Sequence, residues 1–335
     1  MPLLKNVNID DRRAKLWQTD IDQGIAQQDI RSQRIDFVLA ASSAYWKWVA
    51  AGRRYYIALS LLEIARDRQD AIRRRVEAGD IEPPVLSDNE RLIVSREAAL
   101  IDARQRLELA AYALSLYYRD AHGQPVIAGY HQLPRFPDLQ QLNNERLQQD
   151  IEIAWSSRPE IQLVDLNREK LKIDLQQAHN ELLPDAQFAG LVSQDVGLAT
   201  SSIRDKSQFE LEAGLYVDVP VQRRYAQGKI ASNEAKLAQL AAVRRMTVER
   251  ISTEVRNVYA ARTAAYEQVE LARESVALAE ELAEIERRRF ALGESDLLAV
   301  NLREQQAAET ELFLVSSLFE YFSSLAAYSA VLALD

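Results

Sequence analysis

The amino-acid sequence predicts a mostly α-helical protein, with two tandem, long antiparallel helical hairpins of coiled-coil character and one amphipathic β-hairpin. Three observations predict this fold class. Residues Arg223 to Phe290 contain no proline and a single glycine, which allows one helix of roughly 100 Å. Landmarks of one hairpin recur 214 positions apart, and residues 209–219 alternate between apolar and polar side chains.

The helical hairpin occurs twice in the chain. After the long helix, a turn at Gly293 leads into a second helical run from Leu297 to Leu334. The matches under a shift of 214 positions are Arg73–Asp80 with Arg287–Glu294, Tyr45 with Tyr259, and Glu90 with Glu304. An ungapped shift held over this length indicates two copies of one unit.

The composition excludes several classes of protein. Hydrophobic residues make up 47% of the chain and aromatic residues only 7%, as in long helices and coiled coils. A net charge of −9, without a basic patch interleaved with aromatic residues, argues against nucleic-acid binding. The absence of cysteine excludes disulfides, thiol catalysis and cysteine-ligated zinc. No glycine-rich phosphate loop or nucleophile motif occurs, so an enzyme is disfavoured.

The first copy begins with a helix from Asp10 to about Gly79, which carries an aromatic cluster predicted to pack against neighbouring helices. Its members are Phe37, Tyr45, Trp46, Trp48, Tyr55 and Tyr56. The turn at Gly79 is followed by Pro83 and Pro84, which prevent the helix from continuing. We expect Ser87 or Asp88 to cap the returning helix, which is predicted to run to about Arg119.

The middle of the chain is less regular. The predicted segments are a first hairpin over 1–120, a linker over 121–157, a helix over 158–183, a β-hairpin over 184–220 and a second hairpin over 221–335. The linker includes a short helix over 139–156 and two histidines, His122 and His131. No paired acid at ligand spacing supports a metal site there, so we expect an exposed loop.

The second long helix carries two apolar seams on different faces. Tyr259, Tyr266, Val269 and Val276 form the first seam, and Leu271, Leu278, Leu282 and Ile285 form the second. Steps of three, four and seven residues are typical of coiled coils. Two seams predict helical neighbours on two sides.

Residues 209–219 alternate without interruption. The apolar positions are Phe209, Leu211, Ala213, Leu215, Val217 and Val219, and the other face carries Glu210, Glu212 and Asp218. Eleven residues match a membrane-spanning strand of about 9–11 residues. Residues 186–193 are the predicted antiparallel partner, joined through the polar loop 194–208. The alternative is a small amphipathic hairpin that covers the end of a soluble helical bundle.

Taken together, these stretches resemble the TolC-type outer-membrane efflux proteins, the outer-membrane factors. The resemblance covers nearly the whole chain. It rests on Arg158-Pro159-Glu160 opening a helix that ends in Asn180-Glu181-Leu182-Leu183-Pro184, on the strand that closes at Val219-Pro220, and on the Arg288–Gly293 tip followed by Leu297-Leu298. None of these is a catalytic motif, but their order, spacing and duplication are specific.

The resemblance implies a passive exit duct, the outer-membrane channel of a tripartite efflux or type I secretion system. Each protomer of a homotrimer would give strands to a shared outer-membrane β-barrel and helices to a periplasmic α-barrel. The implied partners are a periplasmic adaptor (membrane fusion) protein, an inner-membrane pump and outer-membrane lipid, without nucleic acid. The implied location is the bacterial outer membrane and periplasm, and no catalytic, cofactor or metal site is expected.

The helical tips are the expected adaptor contact, through Arg74, Gly79, Arg288 and Gly293. Glycine allows the backbone to turn and to be approached closely, and arginine offers planar donors to a partner. The alternative is that the glycines only terminate helices. Glu210, Glu212 and Asp218 are expected to face the barrel lumen.

The chain departs from the family at the tunnel mouth. Some relatives place two aspartates just after the second tip, where this sequence has Ala299 and Leu302. We therefore predict that Asp88, Glu90 and Arg303 supply a polar pore gate; the alternative is that they only cap helices or lie on a solvated face.

The second departure is at the N-terminus. Family members carry a signal sequence and a first strand hairpin, whereas Pro2 here resembles the counterpart of Pro220. The resemblance thus leads us to expect a chain truncated at its N-terminus. The competing interpretation of the whole sequence is a soluble coiled-coil scaffold or interaction protein, which has no need for the alternating strand.

Overall fold

The computed structural model describes residues 1–140, 146–194, 196 and 209–334. Within these ranges the chain forms long helices and one pair of strands, as predicted. The elements are α1 (Asp11–Glu77), α2 (Pro84–Leu114), α3 (Leu147–Ser157), α4 (Pro159–Asn180), β1 (Asp185–Ser193), β2 (Glu210–Asp218), α5 (Arg224–Ala291) and α6 (Leu297–Val331). Most of the predicted polar loop 194–208, and residues 141–145 near the start of the predicted helix 139–156, lie outside the described residues.

The two helical hairpins are confirmed. Helix α1 has 67 residues and α5 has 68, and each is followed by a tight turn and a returning helix. The prediction that Ser87 or Asp88 caps α2 is wrong, because the helix already begins at Pro84. Proline is well suited to the first helical turn, where its missing N–H has no partner to lose. Helix α6 is capped by Asp296, whose carboxylate accepts from the Ala299 N–H at 2.7 Å.

The chain divides into two compact units. Unit 1 comprises Met1–Gln33 and Arg158–Arg250, and unit 2 comprises Arg34–Ser157 and Ile251–Asp335. Helices α1 and α5 therefore contribute residues to both units. This division does not test the five segments predicted from chain order, which stay a prediction.

In unit 1, α4 makes polar contacts with α1, α5 and the N-terminal segment, beside buried apolar side chains such as Ile9 and Ile161. Lys170 binds Asp22 on α1 at 2.6 Å. The Arg244 side chain on α5 binds Asp165 at 2.7 Å. At the end of α4, the Asn180 amide donates to the side chain of Asn6 at 3.0 Å and accepts from its backbone N–H at 2.9 Å.

Unit 2 contains an apolar core crossed by a segment, residues 129–140, that we call the strap and that begins with a turn of 3-10 helix at Tyr130–Gln132. The Phe136 ring stacks on Trp46 of α1 at 5.8 Å and on Phe322 of α6 at 5.6 Å. Leu133 lies against Gly52, where an added Cβ would be only 2.3 Å from the leucine side chain. Trp46 and Trp48 of α1 thus pack against other elements as predicted, whereas Phe37, Tyr45 and Tyr56 of the predicted cluster are exposed. The strap contacts both hairpins through Phe136.

The two seams of α5 have different environments in unit 2. Val269 and Tyr259 of the first seam are buried. The second seam is exposed, with Leu271 at 67% and Leu278 at 56% of their full accessibility. The first seam therefore packs against neighbouring residues of the same chain, whereas the second seam is not covered by any of the described residues.

Candidate functional site

The two helical tips have the same backbone geometry. Gly79 and Gly293 both have φ of +79°, in the left-handed region that favours glycine. The Asp80 N–H donates to the Arg75 carbonyl at 2.9 Å, and the Glu294 N–H donates to the Arg289 carbonyl at 2.9 Å. Each turn thereby satisfies carbonyls left open at the helix end, so both glycines do terminate helices.

The two tip arginines predicted to meet an adaptor are both exposed. Arg288 is 74% exposed in its side chain and forms a local pair with Glu284 at 3.1 Å. The pKa of Glu284 is lowered by its hydrogen bonds from Arg288 and Arg287. Arg74 is also exposed on α1. Docking would therefore require Arg288 to exchange its existing partner. The Arg74 side chain, in contrast, forms no hydrogen bond or ion pair with the described residues.

A third arginine, which the sequence did not single out, joins the two tips. Arg75 donates to the Phe290 carbonyl at 3.3 Å, and its guanidinium lies 5.5 Å from the centre of the Phe290 ring. The first tip is thus bound to the end of α5. We expect the tips to present one joint surface.

The predicted gate residues do not contact one another among the described residues. Asp88 is exposed, and Glu90 accepts a hydrogen bond from Gln69 at 3.0 Å. Arg303 is half-buried and donates to Gln306 on its own helix at 3.0 Å. Within one chain these residues form no closed polar cluster.

The charged cluster near the tips is instead centred on Glu304. Its carboxylate is fully buried and is bound by Arg68 of α1 and by Arg96 of α2, the latter at 2.9 Å. Arg287 of α5 reaches the same carboxylate at 3.3 Å. One acid of α6 therefore binds all three of the other long helices in unit 2.

The buried cations of this cluster have further partners. Arg96 also donates to the Leu61 carbonyl at 2.5 Å, and Arg68 donates to Asn301 at 2.9 Å. Burial lowers the pKa of Arg68, and the attraction of Glu304 partly opposes this shift. An ion cluster so enclosed fixes the arrangement of the helices, because removing Glu304 would leave the buried Arg68 and Arg96 without a counter-charge.

The sequence contains a pattern from which the buried position of Glu304 could have been predicted. Leu297, Val300, Ala308 and Val315 are buried along one face of α6, and Glu304 lies in line with them. An acid within an apolar stripe is uncommon unless it is paired. Arg68 and Arg96 could not be identified from spacing, since they lie more than 200 positions away in the sequence, whereas Arg287 is only 17 positions away.

The β-hairpin has one continuous apolar face. Strands β1 and β2 pair antiparallel from Asp185↔Asp218 to Ser193↔Glu210. This register places Phe188 opposite Leu215 and Val192 opposite Leu211. All four of these apolar side chains are exposed. The predicted alternation is therefore present, and apart from the buried Ala186 the apolar side chains of this face are not covered by the described residues.

The opposite face of the hairpin carries the acids predicted to face a lumen. Glu210, Glu212 and Asp218 are all exposed on β2. The register puts Asp185 directly opposite Asp218, and like charges in this position are mutually repulsive. An acidic face of this kind requires water, and an apolar face opposite to it does not.

The two edges of the hairpin differ. Along β1, the Phe188 N–H donates to the Met1 carbonyl at 2.9 Å and the Leu3 N–H donates to the Ala186 carbonyl at 2.8 Å. In the part of the chain that the structure describes, β2 has no strand neighbour besides β1. An unpaired strand edge invites pairing with another strand.

Two other kinds of feature are absent from the described residues. None of the helices in the described part of the chain is both long and apolar enough to cross a membrane. Over the same residues, no group of three or more histidine, aspartate or glutamate side chains is placed to hold a metal ion.

The fold is that of the TolC-type outer-membrane channels. A membrane protein from Pseudomonas aeruginosa matches with a TM-score of 0.74 and 17% identity, over 95% of this chain and 71% of its own. The outer membrane protein VceC from Vibrio cholerae matches with a TM-score of 0.74 and 17% identity, over 96% of this chain and 75% of its own. The CmeC outer membrane channel of Campylobacter jejuni matches with a TM-score of 0.73 and 14% identity, over 96% of this chain and 67% of its own.

These similarities are structural. Neither protein-family models nor curated protein sequences gave a match. At identities of 14–17% the likeness establishes the fold, and the predicted fold class is confirmed.

Proposed function

We propose that this protein is the outer-membrane channel of a tripartite efflux or type I secretion system. Three copies would close a passive exit duct, with strands in a shared outer-membrane β-barrel and helices in a periplasmic tunnel. The duct performs no chemistry and takes no cofactor. Its location is the bacterial outer membrane and periplasm.

One observation carries this proposal. The β-hairpin presents a continuous apolar face, including Leu211, Leu215 and Val217, that no described residue covers. Burying such a face in lipid, with the acids of the other face toward water, satisfies both sides of the strands. The free edge of β2 supports the same arrangement, because closure with strands of other copies removes it.

The first experiment measures molar mass by light scattering, in buffer and in mild detergent, followed by conductance in planar lipid bilayers. We expect a trimer in detergent that forms conducting pores. The variant Leu211→Glu/Leu215→Glu should abolish pore formation, since charge on a lipid-facing strand costs about 2–4 kcal/mol per residue near the bilayer centre. The control Glu212→Gln alters the opposite face and should retain pores.

Two results would contradict the channel. A dimer or open-ended polymer without conductance favours the soluble coiled-coil scaffold. Equal pore formation by the Leu211→Glu/Leu215→Glu variant would show that the apolar face does not meet lipid.

The proposed partner surface is the pair of tips, with Arg74, Gly79, Arg288 and Gly293 contacting a periplasmic adaptor that leads to an inner-membrane pump. The exposure of both arginines and the joint surface made by Arg75 support this role. The test measures binding of a purified periplasmic adaptor protein by calorimetry. Arg74→Ala should weaken binding, and the control Arg106→Ala, on an exposed face of α2, should not.

The gate is proposed to act between copies. Asp88, Glu90 and Arg303 do not meet within one chain, yet all lie within a few turns of the tips. Asp88→Asn and Arg303→Gln should raise single-channel conductance in the assembled pore. Unchanged conductance in both variants would leave these residues with only a surface role.

A further inference from the structure

A cavity of about 1050 Å³ lies within unit 1, where the β-hairpin joins the helices. Its lining comes from the N-terminal segment and the start of α1, the end of α4, strand β1, and the segment that leads from β2 into α5. Sites for small molecules usually have volumes of about 300–1,000 Å³. The cavity is therefore large enough for a solute together with its remaining water.

The cavity lies on the polar face of the β-hairpin. Gln187 of β1 lines it, and the Gln187 side chain donates to the Asp185 carboxylate at 2.9 Å. Successive residues of a strand point to opposite faces, so Gln187 is on the face opposite the apolar Phe188. The register adds Asp218 of β2 to the face of Gln187 and Asp185. In the proposed channel this face is turned toward the water-filled interior, so the cavity borders the duct.

The lining contains more basic than acidic side chains, and two of its three acids already bind a cation. The basic residues are Lys5, Arg12, Arg13 and Arg223, and the acidic residues are Asp10, Asp11 and Glu181. Asp10 binds Arg13 at 2.9 Å, and Glu181 binds Lys229 of α5 at 2.7 Å. The third acid, Asp11, accepts a hydrogen bond from the neutral amide of Gln177 at 2.5 Å.

Three cations of the lining are left without a carboxylate in the part of the chain that the structure describes. Neither the Lys5 nor the Arg12 side chain has an ion pair there, and the Arg223 guanidinium donates to the Pro220 carbonyl at 3.3 Å. They outnumber the one acid without a cation, Asp11. A chain with a net charge of −9 thus concentrates unpaired positive charge in one cavity.

We infer that this cavity binds phosphate-bearing anions inside the duct. A cleft lined by charges of one sign raises the local concentration of the opposite ions. Arginine offers a planar fork of donors that matches phosphate oxygens, and lysine adds a point charge. Three cations from each of three copies would form a ring of nine, and rings of arginine and lysine favour anions and phosphate in pores.

The position of the cavity favours a dissolved solute over a lipid headgroup. The hairpin face proposed to meet lipid carries Phe188 and Leu215, whereas the cavity is lined from the other face by Gln187. The inference rests on the proposed channel and adds the class of solute for which the duct has affinity. Uncharged solutes would pass this point without being bound.

The first test measures binding of inorganic pyrophosphate by calorimetry, on the protein in mild detergent at physiological ionic strength. We expect the wild type to bind. The variant Lys5→Gln/Arg12→Gln/Arg223→Gln should bind at least about tenfold more weakly, since charge-assisted hydrogen bonds to the anion are lost. Circular dichroism should show unchanged helicity.

The matched control is Lys15→Gln/Lys236→Gln/Arg245→Gln. It removes the same three charges from exposed positions of unit 1 that do not line the cavity. This variant should bind pyrophosphate as the wild type does. An equal loss of affinity in both triple variants would show that net charge, and not the cavity, attracts the anion.

A change of opposite sign tests the same site. Asp11→Asn removes the carboxylate without a cation and keeps an oxygen acceptor for Gln177. It should strengthen pyrophosphate binding about two- to fivefold, the effect of one exposed charge pair. Asp20→Asn, at an exposed position of α1 outside the cavity, is its control and should leave the affinity unchanged. Unchanged affinity in Asp11→Asn would contradict a site in this cavity.

The second measurement is single-channel conductance in planar bilayers of zwitterionic lipid. Pyrophosphate added on one side should reduce the conductance of the wild type and of the matched control. It should not reduce that of Lys5→Gln/Arg12→Gln/Arg223→Gln. Native mass spectrometry that finds a phospholipid on the wild type, but not on this variant, would assign the site to a lipid headgroup and overturn the solute.

The outcomes separate the anion site from the channel itself. Conducting pores without pyrophosphate binding, or with equal binding by the variant that lacks the three cations, overturn the site and leave the channel standing. Binding that depends on the three cations, in a protein without conductance, supports the site and contradicts the channel. A protein that neither conducts nor binds pyrophosphate overturns both.

Discussion

The Arg96 guanidinium of α2 donates to the Glu304 carboxylate of α6 at 2.9 Å, and both side chains are buried. The two residues are 208 positions apart and belong to different hairpins. Arg68 and Arg287 bind the same carboxylate, so that Glu304 of α6 connects its own helix to α1, α2 and α5.

Replacing Glu304 by glutamine should destabilise the protein by about 3–5 kcal/mol, because the buried Arg68 and Arg96 would lose their carboxylate partner, whereas Arg287 keeps Glu284. Urea unfolding followed by circular dichroism measures the change. Glu309→Gln is the matched control on an exposed face of the same helix, and we expect a change within about 0.5 kcal/mol. An equal loss of unfolding free energy in both variants would show that the buried cluster stabilises the protein no more than an exposed carboxylate does.

The cost of that variant should come from unpaired charge and not from lost volume. The triple variant Arg68→Met/Arg96→Met/Glu304→Met removes most of the buried charge together. It should regain most of the stability, since apolar replacements of buried ion clusters are often neutral or stabilising. A triple variant less stable than Glu304→Gln would contradict this account.

Alanine at Gly293 should destabilise the second tip by about 1–2 kcal/mol, because φ of +79° is unfavourable for any residue with a Cβ. Gly228→Ala is the contrasting control within helix α5, where an added Cβ meets no atom within 4 Å. That change should stabilise by about 0.5–1 kcal/mol through helix propensity. Hydrogen exchange at the tip amides and urea unfolding measure the two effects, which should have opposite signs.

Alanine at Gly52 should displace the strap from α1. The added Cβ would lie 2.3 and 2.4 Å from the two Leu133 methyl carbons, and overpacking of this kind costs about 1–3 kcal/mol. Leu133→Ala in the same chain should recover part of the loss by removing the clash. Additive losses in the double variant, measured by thermal unfolding, would show that the two residues do not compete for this space.

Glu311 should make stability depend on pH. Burial of the Glu311 carboxyl raises its pKa above the ordinary 4.5, and repulsion from Glu280 is the second, smaller cause of the increase. A carboxyl whose pKa is raised on folding stabilises the folded state most at pH values below its ordinary pKa. This stabilisation is lost as the pH rises through the raised pKa. Glu311→Gln should therefore raise the free energy of unfolding at pH 7 and leave it unchanged near pH 4. The exposed control Glu320→Gln should show no such difference.

The local features of the fold could be predicted from the sequence. The left-handed glycines at Gly79 and Gly293 follow from a glycine placed after a long helix, and the β-hairpin follows from alternation over 209–219. The start of α2 was misjudged, because Pro84 begins the helix where Ser87 or Asp88 was expected to cap it. Serine and aspartate favour a cap, but they do not require one.

The sequence by itself determined the two hairpins, their repeat and the apolar strand face, because helix and strand periods depend on neighbours a few residues apart. Only the tertiary structure decided which α5 seam is buried, which acid binds the arginines, and that the strap places Phe136 against Trp46 and Phe322, which also stack on each other. Those contacts join residues up to 276 positions apart. No local period specifies them, since they depend on how the packed hairpins fill space and pair buried charge.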